Sequence, residues 1–520
     1  MKKQKTLIIV MAVLFVVLLV LYFAVIRPLT AAVEDDSIAA DLIEGEVMIT
    51  AKTSNFYIFQ PIERSSMQSI EVKNEFGGYK IYRDASDKFQ LDGFLGLQFN
   101  QELFSSLVVT TGTPTAMMRV AVDLDEEGLA EYGLDDPQAS WTITTTTGEK
   151  FTMYVGDALV TEGGYYVKYE PRNAVYILSN TLADTVLKPD YAMLQPLLTA
   201  GMSANDYFLA EDFTVWHGDE LFVHVDKVPE AEMKNPEGIV EVVLTYPMPE
   251  TKEAQSLYTL NDSLYFEVLY NFMALQGTEV LAFLPDEAQL EEFGLLDPAY
   301  TIRYVFNDYE FIIFVSERQA DGTYNAVSSL YGFSIVCSVA PESLGWLEYS
   351  HFDWLSATPF YENINNVNRI TLKGSGIDSD FRLMHGTDED GDVTLEVKDE
   401  VSGVVIPNKD VKNFREYYKT LLNITNQEYA TLSEEDRLAL IDDEDQVMLT
   451  MTYETADGKL YEYKFYRYVE LSTGKISGGK IFVTVNGLGE FYTTNDLINK
   501  VIDDNPRVLA GLDINAYTQY

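Results

Sequence analysis

A nine-residue stretch occurs twice and limits what this chain can fold into. Leu129-Ala130-Glu131-Tyr132-Gly133-Leu134-Asp135-Asp136-Pro137 returns as Leu290-Glu291-Glu292-Phe293-Gly294-Leu295-Leu296-Asp297-Pro298, 161 residues later (290 − 129). Each copy spells a short helix stopped by Gly at the left-handed position after the C-cap. The following Leu134 or Leu295 is placed to meet Leu129 or Leu290, as a Schellman cap prefers. Asp-Pro then forbids more helix and launches a strand. Every residue has a folding job, so the motif is read as punctuation in a tandem array rather than as a binding site.

Around these copies the chain splits into three related units. The first opens with alternating strands, Ser69-Ile70-Glu71-Val72 and Tyr79-Lys80-Ile81-Tyr82, joined across Gly77-Gly78. A helix follows with Phe99, Leu103 and Leu107 on one stripe, then a strand from Met117 to Val122. After the capped turn come strands near 140–146, 151–155, 164–169 and 174–178 and a helix over 180–187. The second unit starts with Phe213-Thr214-Val215-Trp216, a Gly218-Asp219 turn and Leu221-Phe222-Val223-His224-Val225, and its helix carries Leu257, Leu260, Leu264 and Val268. The third opens at Asn368-Arg369-Ile370-Thr371-Leu372 and has Val411, Phe414, Tyr418 and Leu421 at helical spacing.

The third unit lacks the Gly-Leu-Asp-Asp-Pro signal, and Leu440-Ile441-Asp442-Asp443-Glu444 stands in its place. Its end still follows the first without gaps. Gly163-Gly164, Asn180, Leu182, Val186 and Leu187 become Gly478-Gly479, Asn495, Leu497, Val501 and Ile502, with Ser179 and Thr494 as candidate N-caps. The expected fold class is α+β: an N-terminal transmembrane helix, then three tandem, mostly antiparallel β-rich units with short helices. The expected divisions are 1–27 as cytoplasmic tip and anchor, 28–60 as juxtamembrane segment, and 61–200, 201–360 and 361–520 as the units.

The anchor is the run 7–26, from Leu7 to Ile26: twenty apolar residues without a charge, about 30 Å as helix, the thickness of a bilayer core. Lys2, Lys3 and Lys5 precede it and Glu34-Asp35-Asp36 follow, which puts the N-terminus in the cytoplasm and the bulk of the chain outside. Cleavage near Ala31 or Ala32 is the alternative, but the run exceeds the usual signal core of about 7–15 residues. The expected location is therefore the cell membrane, single-pass and extracytoplasmic.

The balance of 36 basic against 82 acidic residues, −46 in all, repels phosphate backbones, so nucleic acid is not expected as a partner. Cys337 is the only cysteine, which rules out an internal disulfide framework and a multi-thiolate zinc site. In Phe333-Ser334-Ile335-Val336-Cys337 it reads as a small core hydrophobe.

The sequence spells out no catalytic constellation. His217, His224, His351 and His385 show no zinc spacing, and a two-residue turn should pair His217 with Glu220 and set His224 opposite Phe213. Asp388-Glu389-Asp390-Gly391-Asp392 puts carboxylates at the 1, 3, 5 spacing of calcium loops, but Gly falls at position four and position twelve is Asp399. Asp388, Asp390 and Asp392 are the only metal candidates, and the acidic turn is read first as a soluble loop. Ser472-Thr473-Gly474-Lys475 matches S-x-x-K without its S-D-N and K-T-G partners. No P-loop, G-x-S-x-G or G-x-G-x-x-G occurs, so no cofactor is expected. The Tyr165, Val167, Tyr169 and Tyr166, Lys168 faces of one strand could stack sugars, but alternating aromatics more often pack across strands.

The first capped turn, its Thr-rich strand, Gly148-Glu149, Gly163-Gly164-Tyr165-Tyr166-Val167-Lys168 and Ala174-Val175-Tyr176-Ile177 resemble the bacterial family called domain of unknown function 4340. The resemblance is good over residues 60–200, fair over 240–350 and weak beyond. It implies membrane anchoring and company with ABC transporters of the gliding-associated type, and it carries no catalytic residues. The function expected is a non-enzymatic extracytoplasmic accessory or scaffold of an ABC-type transport complex, with an ABC permease and its associated subunits as partners. A cell-envelope glycan- or cation-binding module is the alternative.

Overall fold

The computed structural model describes residues 42–518 other than 51–52, 161–162, 201–209, 230–239, 273, 307–308, 361 and 390. The expected anchor at 7–26 lies outside the described residues, and among those described no helix is long and apolar enough to cross a membrane. The described chain forms two compact units, one running up to Pro196 with Glu279–Leu281, the other Leu197–Thr278 with Ala282 onward.

The first unit is built on ten strands: β1 (Val47–Met48), β2 (Phe56–Tyr57), β3 (Met67–Lys73), β4 (Tyr79–Arg83), β5 (Phe89–Leu91), β6 (Thr115–Val122), β7 (Ala139–Thr145), β8 (Lys150–Ala158), β9 (Tyr165–Tyr169) and β10 (Ala174–Leu178). Their spatial order is β1-β2-β6-β10-β9-β8-β7-β3-β4-β5. Strand alternation does the sorting. In β7 every second residue is buried, from Ala139 through Trp141 and Ile143 to Thr145. The helices are α1 (Gln101–Gly112), α2 (Glu126–Ala130) and α3 (Asn180–Leu187). Residues 47–48 and 56–57, expected in the juxtamembrane segment, supply β1 and β2 to this sheet.

A second sheet uses β11 (Ala210–His217), β12 (Glu220–Lys227), β13 (Val242–Tyr246), β14 (Glu279–Phe283), β15 (Tyr300–Phe306), β16 (Tyr309–Val315), β17 (Tyr324–Ser328) and β18 (Ile335–Val339), ordered β13-β12-β11-β15-β16-β17-β18-β14. Its helices are α4 (Lys252–Gln255), α5 (Asp262–Phe272), α6 (Glu287–Glu292) and α7 (Pro341–Leu344).

A third sheet uses β19 (Val367–Gly374), β20 (Ile377–Thr387), β21 (Val393–Asp399), β22 (Val405–Ile406), β23 (Glu428–Tyr429), β24 (Val447–Thr455), β25 (Leu460–Glu470), β26 (Lys475–Val485) and β27 (Leu488–Thr494), ordered β22-β21-β20-β19-β24-β25-β26-β27-β23. Helices α8 (Lys412–Leu422), α9 (Glu434–Asp442) and α10 (Asn495–Leu509) accompany it.

The three sheets share one eight-strand order. In each, an opening hairpin and a third strand lie on one side and a four-strand meander on the other, while the strand made just before the meander caps its far edge as β6, β14 or β23. A helix precedes that capping strand in each case, another follows it, and a third closes the meander. The architecture is thus α+β with three antiparallel sheets and short helices.

Local signals set the element ends. Gly133 and Gly294 have φ of 66° and 70°. Leu134 N donates to Leu129 O at 3.2 Å, and Leu295 N to Leu290 O at 2.7 Å, the long bond of a Schellman cap. The expected helical stripes shift at two places. Asn100 accepts from Leu103 N and starts α1, so Phe99 falls before the helix, and Phe104, Leu107, Val108 and Thr111 are the buried face. Asn261 likewise accepts from Leu264 N, which leaves Leu257 and Leu260 outside α5 and buries Tyr265, Val268, Leu269 and Phe272. In α8 the buried residues include Phe414, Tyr418 and Leu421 from the expected stripe.

Candidate functional site

A cavity of about 590 Å³ in the second compact unit lies against the inner face of the third sheet. That is within the size range of small-ligand pockets, about 300–1,000 Å³. Its floor comes from strand register. Tyr453 on β24 pairs with Tyr461 on β25, and Tyr463 on β25 pairs with Val485 on β26. The rings stack as a ladder: Tyr453 and Tyr461 are 4.8 Å apart at 17°, and Tyr453 and Tyr463 5.8 Å apart at 18°. The Asn486-Gly487 turn joining β26 to β27 has positive φ at both residues, the backbone a tight hairpin needs. Asn486 Oδ1 accepts from Glu462 N at 2.9 Å, fixing this corner of the cavity.

Further walls come from two loops, 256–259 and 356–360, and from Glu362, Asn426 and Glu490. Tyr463 donates its hydroxyl to Pro359 O at 2.8 Å, and Ser356 N donates to Thr259 O at 2.7 Å, so both loops are tied down. Asn426 N donates to Ala357 O at 2.6 Å. Glu490 is paired with Arg437 at 2.6 Å, whereas Glu362 accepts only from neutral donors among the hydrogen bonds described, Asn363 N at 3.1 Å and Asn366 Nδ2 at 3.0 Å.

Burial holds the surrounding phenols protonated. Tyr453 is pushed up to about 12 by desolvation, and Tyr258, next to the cavity residue Leu257, also to about 12 by desolvation and then by the Glu490 charge. Tyr463 is driven higher still by desolvation and its tyrosine neighbours. These hydroxyls serve as hydrogen-bond partners rather than bases, so the cavity is equipped to hold a polar ligand.

A second cluster lies on the outer face of the opening hairpin of the second sheet. One ligand atom from each of Asp212, His224 and Asp226 lies within 4.8 Å of the others. Asp212 pairs directly with Asp226 across the hairpin, and Thr214 pairs with His224. The expected partner of His224, Phe213, instead faces Val225, because Phe222 is an extra bulged residue that shifts the register between Val215 and Trp216. His217 does pair with Glu220. Asp212 is already occupied: Arg303 Nη1 lies 2.8 Å from Oδ1, Thr214 Oγ1 donates to Oδ1 at 2.9 Å, and His224 Nε2 is 3.2 Å from Oδ2. The guanidinium supplies the positive charge a divalent ion would bring, so the cluster is an ion-paired network on the hairpin.

The other residues singled out in the sequence are spread over the fold. In the β20–β21 turn, Asp388 Oδ1 accepts from Asp392 N at 2.8 Å, and Asp390 lies outside the described residues. His385 Nε2 is 2.8 Å from Val367 O. His217 and His351 both stack with Phe222, at 3.7 and 4.3 Å. Ser472 sits in the β25–β26 turn and gives its N–H and hydroxyl to Asp436, whose carboxyl these bonds hold below its ordinary value. Tyr169 packs on Phe59 at 5.1 Å and Tyr166 on Tyr132 at 4.9 Å, as packing aromatics do. The cavity residues were not anticipated. The available signal was the alternation Tyr461-Glu462-Tyr463 beside an Asn-Gly turn, but which loops roof that strand is a tertiary matter.

Residues 113–298 match the family model described as Domain of unknown function (DUF4340), which supports the family that the residue pattern resembles. The match contains both capped turns and ends on Pro298, the last residue of the second. Comparison with curated proteins found no match, nor did comparison with solved structures.

Proposed function

We propose that the chain is a non-enzymatic, membrane-anchored extracytoplasmic component of an ABC-type transport complex. The observation that carries this reading is the recurrence of one eight-strand order three times in a chain whose N-terminus holds an uncharged run of bilayer length. One apolar segment cannot form a transport pathway, and the sequence has no P-loop to drive one. A large body held beside the bilayer is at high effective concentration for membrane neighbours, and repeated sheets offer them several surfaces at once. The family resemblance points to the same company, an ABC permease and its ATPase.

The test is affinity purification of the full chain from gently solubilised membranes. An ABC permease and its ATPase should co-purify, and deletion of residues 60–360 should abolish their recovery. Purification of the chain alone, under conditions that preserve a known permease–ATPase pair, would overturn the reading.

A further inference from the structure

Glu362 is the carboxylate of the cavity over the third sheet that has no counter-charge. Its backbone oxygen accepts from the Tyr418 hydroxyl at 2.7 Å, which fixes where the side chain starts. Asn363 N and Asn366 Nδ2 both donate to Oε1, and Oε2 accepts from none of the described residues. Lys459 is within electrostatic reach but is held first by Asp457, at 2.8 Å, and the cavity's other carboxylate, Glu490, is taken by Arg437 at 2.6 Å. Among the described residues no lysine, arginine or histidine lines the cavity. Desolvation is the main cause that keeps the Tyr418 and Tyr453 phenols protonated, and the Glu362 charge adds to it, so the field of this carboxylate reaches the tyrosine ladder.

An unpaired carboxylate on an open surface is common in a chain with 82 acidic residues and marks no site. Here it borders a cavity whose wall includes Tyr453, Tyr461, Tyr463 and Phe491. Aromatic faces carry partial negative charge and attract cations, most strongly where water is displaced. An anion would meet repulsion from Glu362 and find no basic group. A bare divalent ion asks for about six or more oxygens, and a ring face supplies none. An organic ammonium uses both features, its charge against the carboxylate and its carbon atoms against the rings. Tyr461 is the least buried ring of the ladder, with its centroid 4.8 Å from that of Tyr453. We propose that this cavity binds an organic ammonium ion, with the charged nitrogen set against Glu362 Oε2 and the carbon body packed on Tyr461.

The test uses the full chain in an uncharged polyoxyethylene detergent at about 0.15 M salt, where loose attraction to exposed carboxylates is screened. Calorimetry is run with choline and putrescine, and with glucose and calcium as the neutral and metal probes. At least one of the two ammonium ions should bind. Glu362→Gln, which keeps an acceptor for Asn363 and Asn366, should weaken it about tenfold or more, the scale of one lost charge-assisted contact. Tyr461→Ala should weaken it about tenfold, whereas Tyr461→Phe, which keeps the ring, should stay near wild type. Glu389→Gln in the exposed β20–β21 turn should also leave affinity unchanged. Near-UV circular dichroism establishes that each variant is folded, and if one is not, the other decides. Saturation-transfer NMR on the wild-type chain is independent of both: irradiating aromatic protons should carry to the methyl or methylene protons of the bound cation. The proposal is overturned if neither ammonium ion binds, if folded Glu362→Gln or Tyr461→Ala binds as tightly as wild type, or if no aromatic transfer is seen. It is equally overturned if calcium or glucose displaces the cation. The transport reading does not enter this assignment, so either can fail without the other.

Discussion

Lys500 donates to Asp504 across 2.7 Å, one helical turn along α10, with both side chains buried. Thr420 on α8 donates its hydroxyl to the same carboxylate oxygen at 3.1 Å, so the pair ties the two helices of the third repeat together. Removing one partner strands the other charge in an apolar setting. Asp504→Leu and Lys500→Met should each lower the unfolding free energy by about 3–5 kcal/mol, and the double variant carrying both should cost less than either single change. Urea denaturation of the four proteins closes the cycle, and additive losses would show that the pair is not coupled.

The two glycine caps should respond unequally. At positive φ any side chain costs about 1–2 kcal/mol, and Gly133 and Gly294 share that cost. A Cβ on Gly133 would also lie 2.4 Å from Asp157 Oδ1 and 2.9 Å from its backbone nitrogen, whereas at Gly294 the nearest atom is Ser316 Cβ at 3.3 Å. Gly133→Ala should therefore destabilise the chain more than Gly294→Ala does. Equal shifts in urea midpoint would refute the steric account.

Acid should weaken the second compact unit before its carboxylates titrate. Desolvation lowers the folded-state pKa of His217 and His351, and the His351 imidazole further opposes protonation of His217. In that window the unfolded chain binds more protons than the folded one, so stability rises with pH. It is fully present above the ordinary histidine value of about 6.5 and is lost as pH falls below it. Urea midpoints should drop between pH 7.5 and 5.5, and His217→Asn with His351→Asn should flatten that dependence. An unchanged slope in the double variant would assign the effect elsewhere.

Much of this fold was legible in advance because its signals are local. Gly133 and Gly294 must be left-handed whatever surrounds them, and Asp-Pro ends a helix on its own. The strands of the meanders were visible in alternation, as at Trp141 and Ile143. What escaped was set by contacts distant in sequence. Phe222 bulges out of β12, where its ring stacks with His217 and His351, and that one extra residue moves His224 from Phe213 to Thr214 and gathers it with Asp212 and Asp226. The cavity was invisible for the same reason, since residues 256–259 and Asn426 meet Tyr461 only through tertiary packing.

Cys337, the single cysteine, should report unfolding. It is fully buried on β18, and desolvation pushes its thiol up to about 12, so little thiolate forms near neutral pH. Iodoacetamide at pH 8 should leave the native chain unlabelled and should modify it to one equivalent in urea. Rapid native labelling would show that β18 opens readily.

Protease added to cells stripped of their wall should remove nearly the whole chain and leave a fragment of about the first 30 residues, the part expected in and behind the bilayer. Protection of the large body would reverse the orientation argued from Lys2, Lys3 and Lys5.

The capping strand of each sheet carries a consequence for how the chain acquires its structure. β6 is made before the meander yet pairs with β10, the meander's last strand, and β23 is likewise made before β24 to β26 yet pairs with β27. These pairings have high contact order, which slows folding because a long loop must close before any bond rewards it. During synthesis, β6 can join only the two-residue strand β2 until the residues of β10 have emerged. In these two sheets the capping strand therefore waits on the last strand of the meander, and a chain truncated before β10 or β27 leaves it without that partner.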